Sequence, residues 1–386
     1  MNQKIEQIFQ VPYRYSVHFT QYLFSIDNTV FLDTLSGDGE KKLKRVIVFV
    51  DELLPNHHPN LITELQTYFK YYAELLELVC KPLFVPGGES IKNSFNVIKQ
   101  IYGLISQHKI CRHSYLVAIG GGAVLDAVGY AANTAHRGIR LIRVPTTVLS
   151  QNDSGVGVKS GINYLNKKNF IGTFSPPYAV INDNQFLTTL DDRTWRSGIS
   201  EAIKVALIKD KVFFNFLKKQ VEQLKKRNMQ IMQNVIYRCA ELHINHIGQS
   251  GDPFEYGSSR PLDFGHWAAH KLEVLTCYSL LHGEAVAIGL ALDCTYSYLV
   301  GLLSKSSWIS IIDLLYLFGF DLQVPELSQK SDLLYDGLSE FQEHLGGELT
   351  IMLLKDIGEG IEVNVVELPL YQKAVSMLDS FIEKRL

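Results

Sequence analysis

Residues 114–133 read SYLVAIGGGAVLDAVGYAAN, and this stretch decides the fold. The run from Tyr115 to Ile119 is continuously apolar, the pattern of a strand buried on both faces. Gly120, Gly121 and Gly122 end it, and a helical segment follows. Strand, glycine turn and helix in that order make half of a βαβ unit and imply a parallel sheet. Glycines at such a turn let the backbone approach a pyrophosphate, whose charge is favoured at the helix N-terminus. The spacing G-G-G-x-x-x-D differs from G-x-G-x-x-G, so a plain tight turn remains the alternative. Asp126 in the first turn would then only complement the helix dipole.

The same alternation extends outward. KRVIVFVDELL (44–54) reads as a strand closed by a turn, and residues 61–79 carry helical spacing. ELVCKPLFVPGGE (77–89) is a strand ending in a Pro-Gly-Gly turn. It is followed by an amphipathic helix, with Ser90 as its expected cap. IRLIRVPTT (139–147) is a further strand. From about residue 192 the pattern turns helical, including SGISEAIKVALIKD, a long basic helix around 211–246, GHWAAHKLEVL and GEAVAIGLALDCTYSYLVGLL. The expected organisation is an α/β domain over 1–185 and an all-helical domain over 186–386, with the cleft between them as the expected site.

Composition removes several function classes. The net charge of −3 leaves no basic excess for nucleic acid or an anionic membrane. No apolar run reaches the roughly 18 residues of a membrane span. The N-terminus lacks the basic-then-apolar layout of a signal peptide. Cys80, Cys111, Cys239, Cys277 and Cys294 are odd in number and contain no C-x-x-C pair, so a disulfide framework is not expected. These features fit a cytoplasmic protein.

Three residues suggest a metal centre. Glu201 lies in SGISEAIK, His266 in PLDFGHWAAH and His282 in LLHGEAVAIG, the two histidines 16 residues apart. One carboxylate and two imidazoles leave a coordination position open, as a catalytic zinc site requires. A lone histidine on an apolar helix is more often a core residue, so the case rests on the three together. Glu201 and Lys204, three apart on one helix, could equally be a surface ion pair. Asp252, Glu255 and Asp263 could hold the imidazoles in one tautomer. Asp153, Lys159, Lys168 and Asn169 fall in a 17-residue polar stretch rich in glycine. Such a loop can enclose a phosphate by charge and exposed N–H groups, or simply be solvated. Pro86 to Lys92 forms a second glycine turn, with Glu89 and Lys92 one helical turn apart.

Taken together, PGGE-x-x-K, GGG-x-x-x-D, PTT-x-x-x-x-x-D-S-x-V-G-x-K-x-G-x-N, KN-x-x-G, G-x-x-E-x-x-K, FGH-x-x-x-H and LHGEAVAIG occur in an order that resembles the dehydroquinate synthase superfamily of sugar phosphate cyclases, from about residue 45 to about 365. The resemblance implies a Rossmann-like N-terminal domain and a helical C-terminal one. It implies NAD binding by Asp51, Glu89, Lys92, Gly121, Gly122, Asp126, Thr146, Thr147 and Thr189, with Lys159 and Lys168 contributing. It implies zinc or cobalt on Glu201, His266 and His282. Catalytic or substrate roles are implied for Asp153, Lys159, Lys168, Asn169, Lys204 and His270. Arg137 matches an arginine that reaches the partner subunit's substrate phosphate, so a homodimer is expected.

The departures bear on the substrate. Dehydroquinate synthases carry a lysine, an arginine and an asparagine upstream of the first zinc histidine, the first two on the substrate carboxylate. Aligned without gaps, Asn245, Ser259 and Asp263 stand there, with Arg260 one residue away from the lost arginine. Without those cations a buried carboxylate loses charge-assisted bonds worth roughly 1.5–3 kcal/mol each, and Asp263 adds repulsion. DFGH and VGVKSGIN are closer to cyclases that make C7 cyclitols from sedoheptulose 7-phosphate, although those usually lack the second histidine, here His270. EFQEHLGG replaces a C-terminal lysine pair, leaving His344 as a phosphate contact. The expected activity is phosphate elimination and cyclisation of a neutral-headed ketose phosphate. The rivals are dehydroquinate synthase itself, a metal-dependent polyol dehydrogenase, and a binding protein that kept the fold.

Overall fold

The computed structural model describes residues 3–37, 39, 42–165 and 167–384. Its centre is a seven-stranded sheet of β1 (Ser16–Thr20), β2 (Lys44–Asp51), β3 (Leu76–Leu78), β4 (Leu83–Val85), β5 (Tyr115–Gly120), β6 (Arg140–Pro145) and β9 (Ala179–Asp183). The order is β1-β9-β6-β5-β2-β3, with β4 also on β2, and every pairing is parallel. Val46 to Val50 and Tyr115 to Ile119 are fully buried. Their side chains alternate between two apolar clusters, one on each face of the sheet. This is the burial that a continuous apolar run demands.

The chain leaves β2 for one side of the sheet, through β3 and β4, and returns on the other side as β5. The C-terminal ends of β2 and β5 therefore flank a topological switch point, where open α/β sheets place their ligands. Asp51 ends β2, and Gly120 to Gly122 end β5 and start the Gly122–Thr134 helix.

Four expectations need correction. The polar stretch expected to be a loop is largely an antiparallel hairpin of β7 (Lys159–Tyr164) and β8 (Lys167–Phe174). Ser160 to Asn163 are buried along one arm, so the glycines serve close strand pairing rather than solvation. The C-terminal part is not all helical: β10 (Ile351–Asp356) and β11 (Glu359–Val363) form a hairpin turning at Gly358, whose φ is +88°. Ile351 to Leu354 are buried on both faces of the strand within the helical core cluster. The single basic helix around 211–246 is three helices, Lys211–Lys219, Val221–Lys225 and Met229–Gln249. Arg227 at φ 60° and the Asn228 cap, accepting from Ile231 N, force the last break. Ser94 rather than Ser90 caps the Phe95–Gln107 helix, because residues 89–93 form a 3-10 turn first.

The remaining helices pack around one large apolar cluster centred on Asp192–Lys209 and His282–Leu299. Among the described residues no helix is long and apolar enough to cross a membrane.

Candidate functional site

Two buried helices and the start of a third meet behind the sheet's C-terminal edge. The Asp192–Lys209 helix is buried continuously from Ser197 to Ile208, so Glu201 has no route to solvent and is 0% exposed. The pair it forms with Lys204, at 2.5 Å, is therefore a core feature and not a surface one. Gly265, in the left-handed region at φ +76°, turns the chain so that His266 opens the next helix. Asp293 fixes that turn from the His282–Leu299 helix. It accepts from Gly265 N at 3.1 Å, Trp267 Nε1 at 3.0 Å and the Tyr371 hydroxyl at 2.9 Å. Burial nonetheless pushes its carboxyl up to about 7.

Glu201, His266 and His282 converge, with ligand atoms within 4.8 Å of one another. His266 Nδ1 is 3.1 Å from the Phe264 carbonyl and His282 Nδ1 is 3.0 Å from Glu273 Oε2. Each ring thus turns Nε2 inward, 3.7 and 3.4 Å from Glu201 Oε1. Oε2 of Glu201 is held by Lys204, while the buried Oε1 receives no hydrogen bond. A buried carboxylate oxygen without a donor that faces two imidazole nitrogens is what a divalent cation would complete. His270 stands beside them, its ring 5.3 Å from His266 and 5.9 Å from His282. Burial and the nearby Lys168 hold it well below the usual histidine range.

The acids expected to orient the imidazoles do not do so. Asp252 accepts from Tyr256 and Gly257 N in its own turn, and Glu255 pairs with Lys159 at 2.7 Å and Arg260 at 2.9 Å. The orienting acid is Glu273. It also holds Lys168 at 2.6 and 2.5 Å through its two oxygens, tying the β7–β8 hairpin to the histidine cluster. Burial opposes its charge, but Lys168 and His282 keep it well below the usual carboxylate range. Its seven-residue spacing from His266 put it on the same helix face, a signal present in GHWAAHKLE.

A second polar centre adjoins the first. Asp153 lies in a wide π-helical turn, Ser150–Ser154, anchored by Asn152 Nδ2 to Gly198 O at 2.7 Å. Its Oδ1 meets Lys204 Nζ at 3.5 Å and His243 Nδ1 at 2.9 Å. Burial opposes its charge, yet Lys204 and His243 hold it well below the ordinary value, so it is an anion at neutral pH. Arg143, fully buried on β6, stitches the following segment in place through the Gly157 and Lys159 carbonyls at 2.6 and 2.8 Å. Neither Arg143 nor His243 was picked out from the sequence.

The nucleotide-type residues gather at the switch point. A Cβ on Gly87 would lie 2.6 Å from both Asp51 oxygens, and one on Gly122 would lie 2.6 Å from Ser154 Oγ. Ser154 Oγ is buried without a hydrogen-bond partner. Lys92 bridges Asp126 at 2.8 Å and Glu89 at 3.5 Å and also bonds Asn169, while Asn163 joins Glu89 at 3.0 Å. Thr147 bonds Ser150 at 2.8 Å beside the buried Thr146, and Thr189 bonds His58 Nε2 at 2.8 Å. The glycines leave the backbone at Gly121 and Gly122 open to a pyrophosphate-sized anion.

The head end differs from the sequence alignment. Asn245 is exposed, and its neighbours His243 and His246 are the part-buried ones. Burial and Lys209 lower His246 to about 4, so its imidazole carries no charge at neutral pH. Ser259 is exposed and bonds Glu362. Arg260 is turned onto the Gly257 and Glu255 carbonyls, at 2.5 Å each, and onto the Glu255 carboxylate. Asp263 sits among Lys159, His266 and Lys204; burial opposes its charge, but these neighbours, Lys159 foremost, hold it below the normal carboxylate range. His344 is exposed at the rim, near Asp263 and Lys159. Arg137 is exposed too, in the left-handed region at φ 62°, in a groove of about 840 Å³ with Lys109, Arg112 and His136.

Comparison with known proteins agrees with this geometry. The family model for the 3-dehydroquinate synthase N-terminal region matches residues 82–197, and that for the C-terminal region matches residues 198–339. A 3-dehydroquinate synthase of Dictyoglomus thermophilum is 35% identical over 321 residues, 83% of this chain and 88% of that protein. Among solved structures, ValA, a 2-epi-5-epi-valiolone synthase of Streptomyces hygroscopicus subsp. jinggangensis 5008 with NAD+ and Zn2+ bound, superposes with a TM-score of 0.87 at 27% identity, covering 98% of this chain and 100% of that one. A 2-deoxy-scyllo-inosose synthase complexed with carbaglucose-6-phosphate, NAD+ and Co2+ shares the fold at a TM-score of 0.75 and 21% identity, over 93% and 95% of the two chains. With both halves matched and more than four-fifths of the sequence aligned, the chain belongs to the dehydroquinate synthase family.

Proposed function

We propose that this protein is an NAD- and zinc-dependent sugar phosphate cyclase whose substrate is a neutral-headed ketose phosphate of the sedoheptulose 7-phosphate type. One observation carries the choice of substrate. Of the positions where sugar-acid enzymes present cations, Asn245 and Ser259 face outward, and Arg260 is consumed by Glu255 and its own loop. Asp263 places an anionic acceptor in the site instead. An acceptor suits hydroxyl groups and opposes a carboxylate. The likeness to ValA over 98% of the chain supports the same reading.

Bound at the switch point and at Glu201, His266 and His282, NAD would take and return a hydride while the metal served as Lewis acid for a ring oxygen. This chain's residues supply placement and proton handling. Asp153, held anionic, accepts a substrate hydroxyl, and Lys204 steadies both that carboxylate and Glu201. Lys159, Lys168, Asn169 and His270 surround the leaving phosphate. Lys168 reaches it in competition with Glu273. Arg137 of a second copy completes the phosphate site, which makes the working form a homodimer; its exposed position in the basic groove supports this. After phosphate leaves and the hydride is returned, the hemiketal ring opens to an enol and a free carbonyl, which join by intramolecular aldol addition.

The second reading is 3-dehydroquinate synthase, favoured by the 35% identity to the Dictyoglomus protein of that name. Phosphate release with sedoheptulose 7-phosphate and with the C7 sugar acid phosphate, each with NAD+ and Zn2+, separates the two.

A further inference from the structure

We propose that His243 is a positioning residue that fixes the Asp153 carboxylate for the substrate hydroxyl. This rests on the role given to Asp153 above and is independent of which sugar is bound.

The Met229–Gln249 helix packs against the π-helical turn and the Asp192–Lys209 helix. It presents His243 and His246, one turn apart, on its inner face. His243 Nδ1 lies 2.9 Å from Asp153 Oδ1, and its side chain is only 13% exposed. Lys204 approaches the same oxygen, but at 3.5 Å, while it stands 2.5 Å from Glu201. Lys204 is thus committed to Glu201, and the short, directional contact to Asp153 comes from His243. With both contacts on Oδ1, no hydrogen bond from a described residue reaches Oδ2, which is left for a ligand. A carboxylate on a short side chain has two χ angles to set, and a donor on one oxygen sets them.

The surroundings are built for the ring. A Cβ on Gly157 would lie 3.2 Å from His243 Nε2, so the glycine in VGVK leaves the space the imidazole occupies. Arg143 grips the Gly155 and Gly157 carbonyls at 3.2 and 2.6 Å and holds that segment against the sheet. With Nδ1 donating to Asp153, the Nε2 edge of the ring faces Gly157, so the hydrogen bond also sets the ring's orientation.

The test compares His243→Phe, which keeps a ring without a donor, with His243→Asn, whose amide nitrogen reaches the place of Nδ1. Both are assayed on sedoheptulose 7-phosphate and on the C7 sugar acid phosphate, using whichever the wild type turns over. Misplacing Asp153 by a fraction of an ångström to 1 Å predicts a fall in kcat of about 10–100-fold in His243→Phe. KM, Zn2+ affinity and NAD+ affinity should stay within about twofold, and His243→Asn should recover most of kcat. A second readout needs no turnover. In the 15N-histidine spectrum of the NAD- and zinc-loaded protein, the Nδ1-protonated imidazole that disappears in His243→Asn should change tautomer or shift in Asp153→Ala. A His243→Phe enzyme with near wild-type kcat, or an Asn variant no better than Phe, overturns the proposal. So does a His243 signal indifferent to Asp153→Ala. If only the sugar acid reacts, the substrate reading falls and the His243 comparison is still measured on that substrate.

Discussion

Glu273→Gln is the substitution whose consequences the structure specifies most fully. The carboxylate is 3% exposed, takes the Nδ1 proton of His282 at 3.0 Å and pairs with Lys168 at 2.5 Å. Glutamine preserves volume and one acceptor, so His282 keeps a weaker orienting bond. Loss of a partner of this kind typically weakens metal binding about 10–100-fold, or roughly 1.4–2.7 kcal/mol. The larger effect falls on Lys168, whose side chain is 8% exposed and would lose its carboxylate partner. Breaking a buried pair from one side costs about 3–5 kcal/mol of stability. The two effects are separable. Zn2+ affinity is read by competition with a chromogenic chelator, and stability by urea unfolding of the metal-free protein. A phosphate ion that pairs with the released Lys168 should restore part of the lost stability. Zinc affinity and unfolding midpoint both indistinguishable from wild type would refute the assignment of Glu273 as the residue that couples the hairpin to the metal ligands.

Three further outcomes follow from the geometry. Gly122→Ala places a methyl 2.6 Å from Ser154 Oγ at the pyrophosphate turn; NAD+ affinity, measured calorimetrically, should fall at least about tenfold, a loss of roughly 1.4 kcal/mol, with Zn2+ binding unchanged. Asp293 has its carboxyl raised from its ordinary value to about 7 by burial, so the folded state holds the proton that the unfolded state has lost; between about pH 4 and 7 this group's contribution to stability falls as pH rises. The wild type minus Asp293→Asn difference in unfolding free energy should therefore decline across that window, and a flat difference would contradict it. With catalytic NAD+, phosphate should accumulate over many turnovers while absorbance at the NADH band stays level; one NADH per product would establish a dehydrogenase instead.

Residues differed in how legible they were from the sequence. The strand–glycine–helix unit at 114–133 was readable because a strand buried on both faces must be apolar throughout, and Gly121 and Gly122 sit where the sheet edge needs open backbone. Glu201, His266 and His282 were readable as a set, although the burial that makes Glu201 a candidate ligand rather than a surface partner of Lys204 is a tertiary property. The head end was not readable. A gapless alignment counts residues but does not fix helix phase, and about 100° per residue separates the exposed Asn245 from the inward His246. Glu255 was misassigned for a similar reason: its partners Lys159 and Arg260 reach it from different segments. The C-terminal hairpin had a signal, since IMLLKDIGEGIEV joins two apolar runs through a turn glycine. The general helical trend of that region masked it.

The account's central claim is that the head end of this site is built for hydroxyl groups, and the most direct measurement is kcat/KM for phosphate release from sedoheptulose 7-phosphate against the C7 sugar acid phosphate. Asp263 as acceptor, with Asn245 and Ser259 turned outward, predicts that the neutral ketose phosphate is preferred by at least about 100-fold, equivalent to roughly 2.7 kcal/mol in the transition state. Efficient turnover of the sugar acid, abolished by Arg260→Ala, would show that Arg260 leaves Glu255 to bind a carboxylate and that the protein is a dehydroquinate synthase.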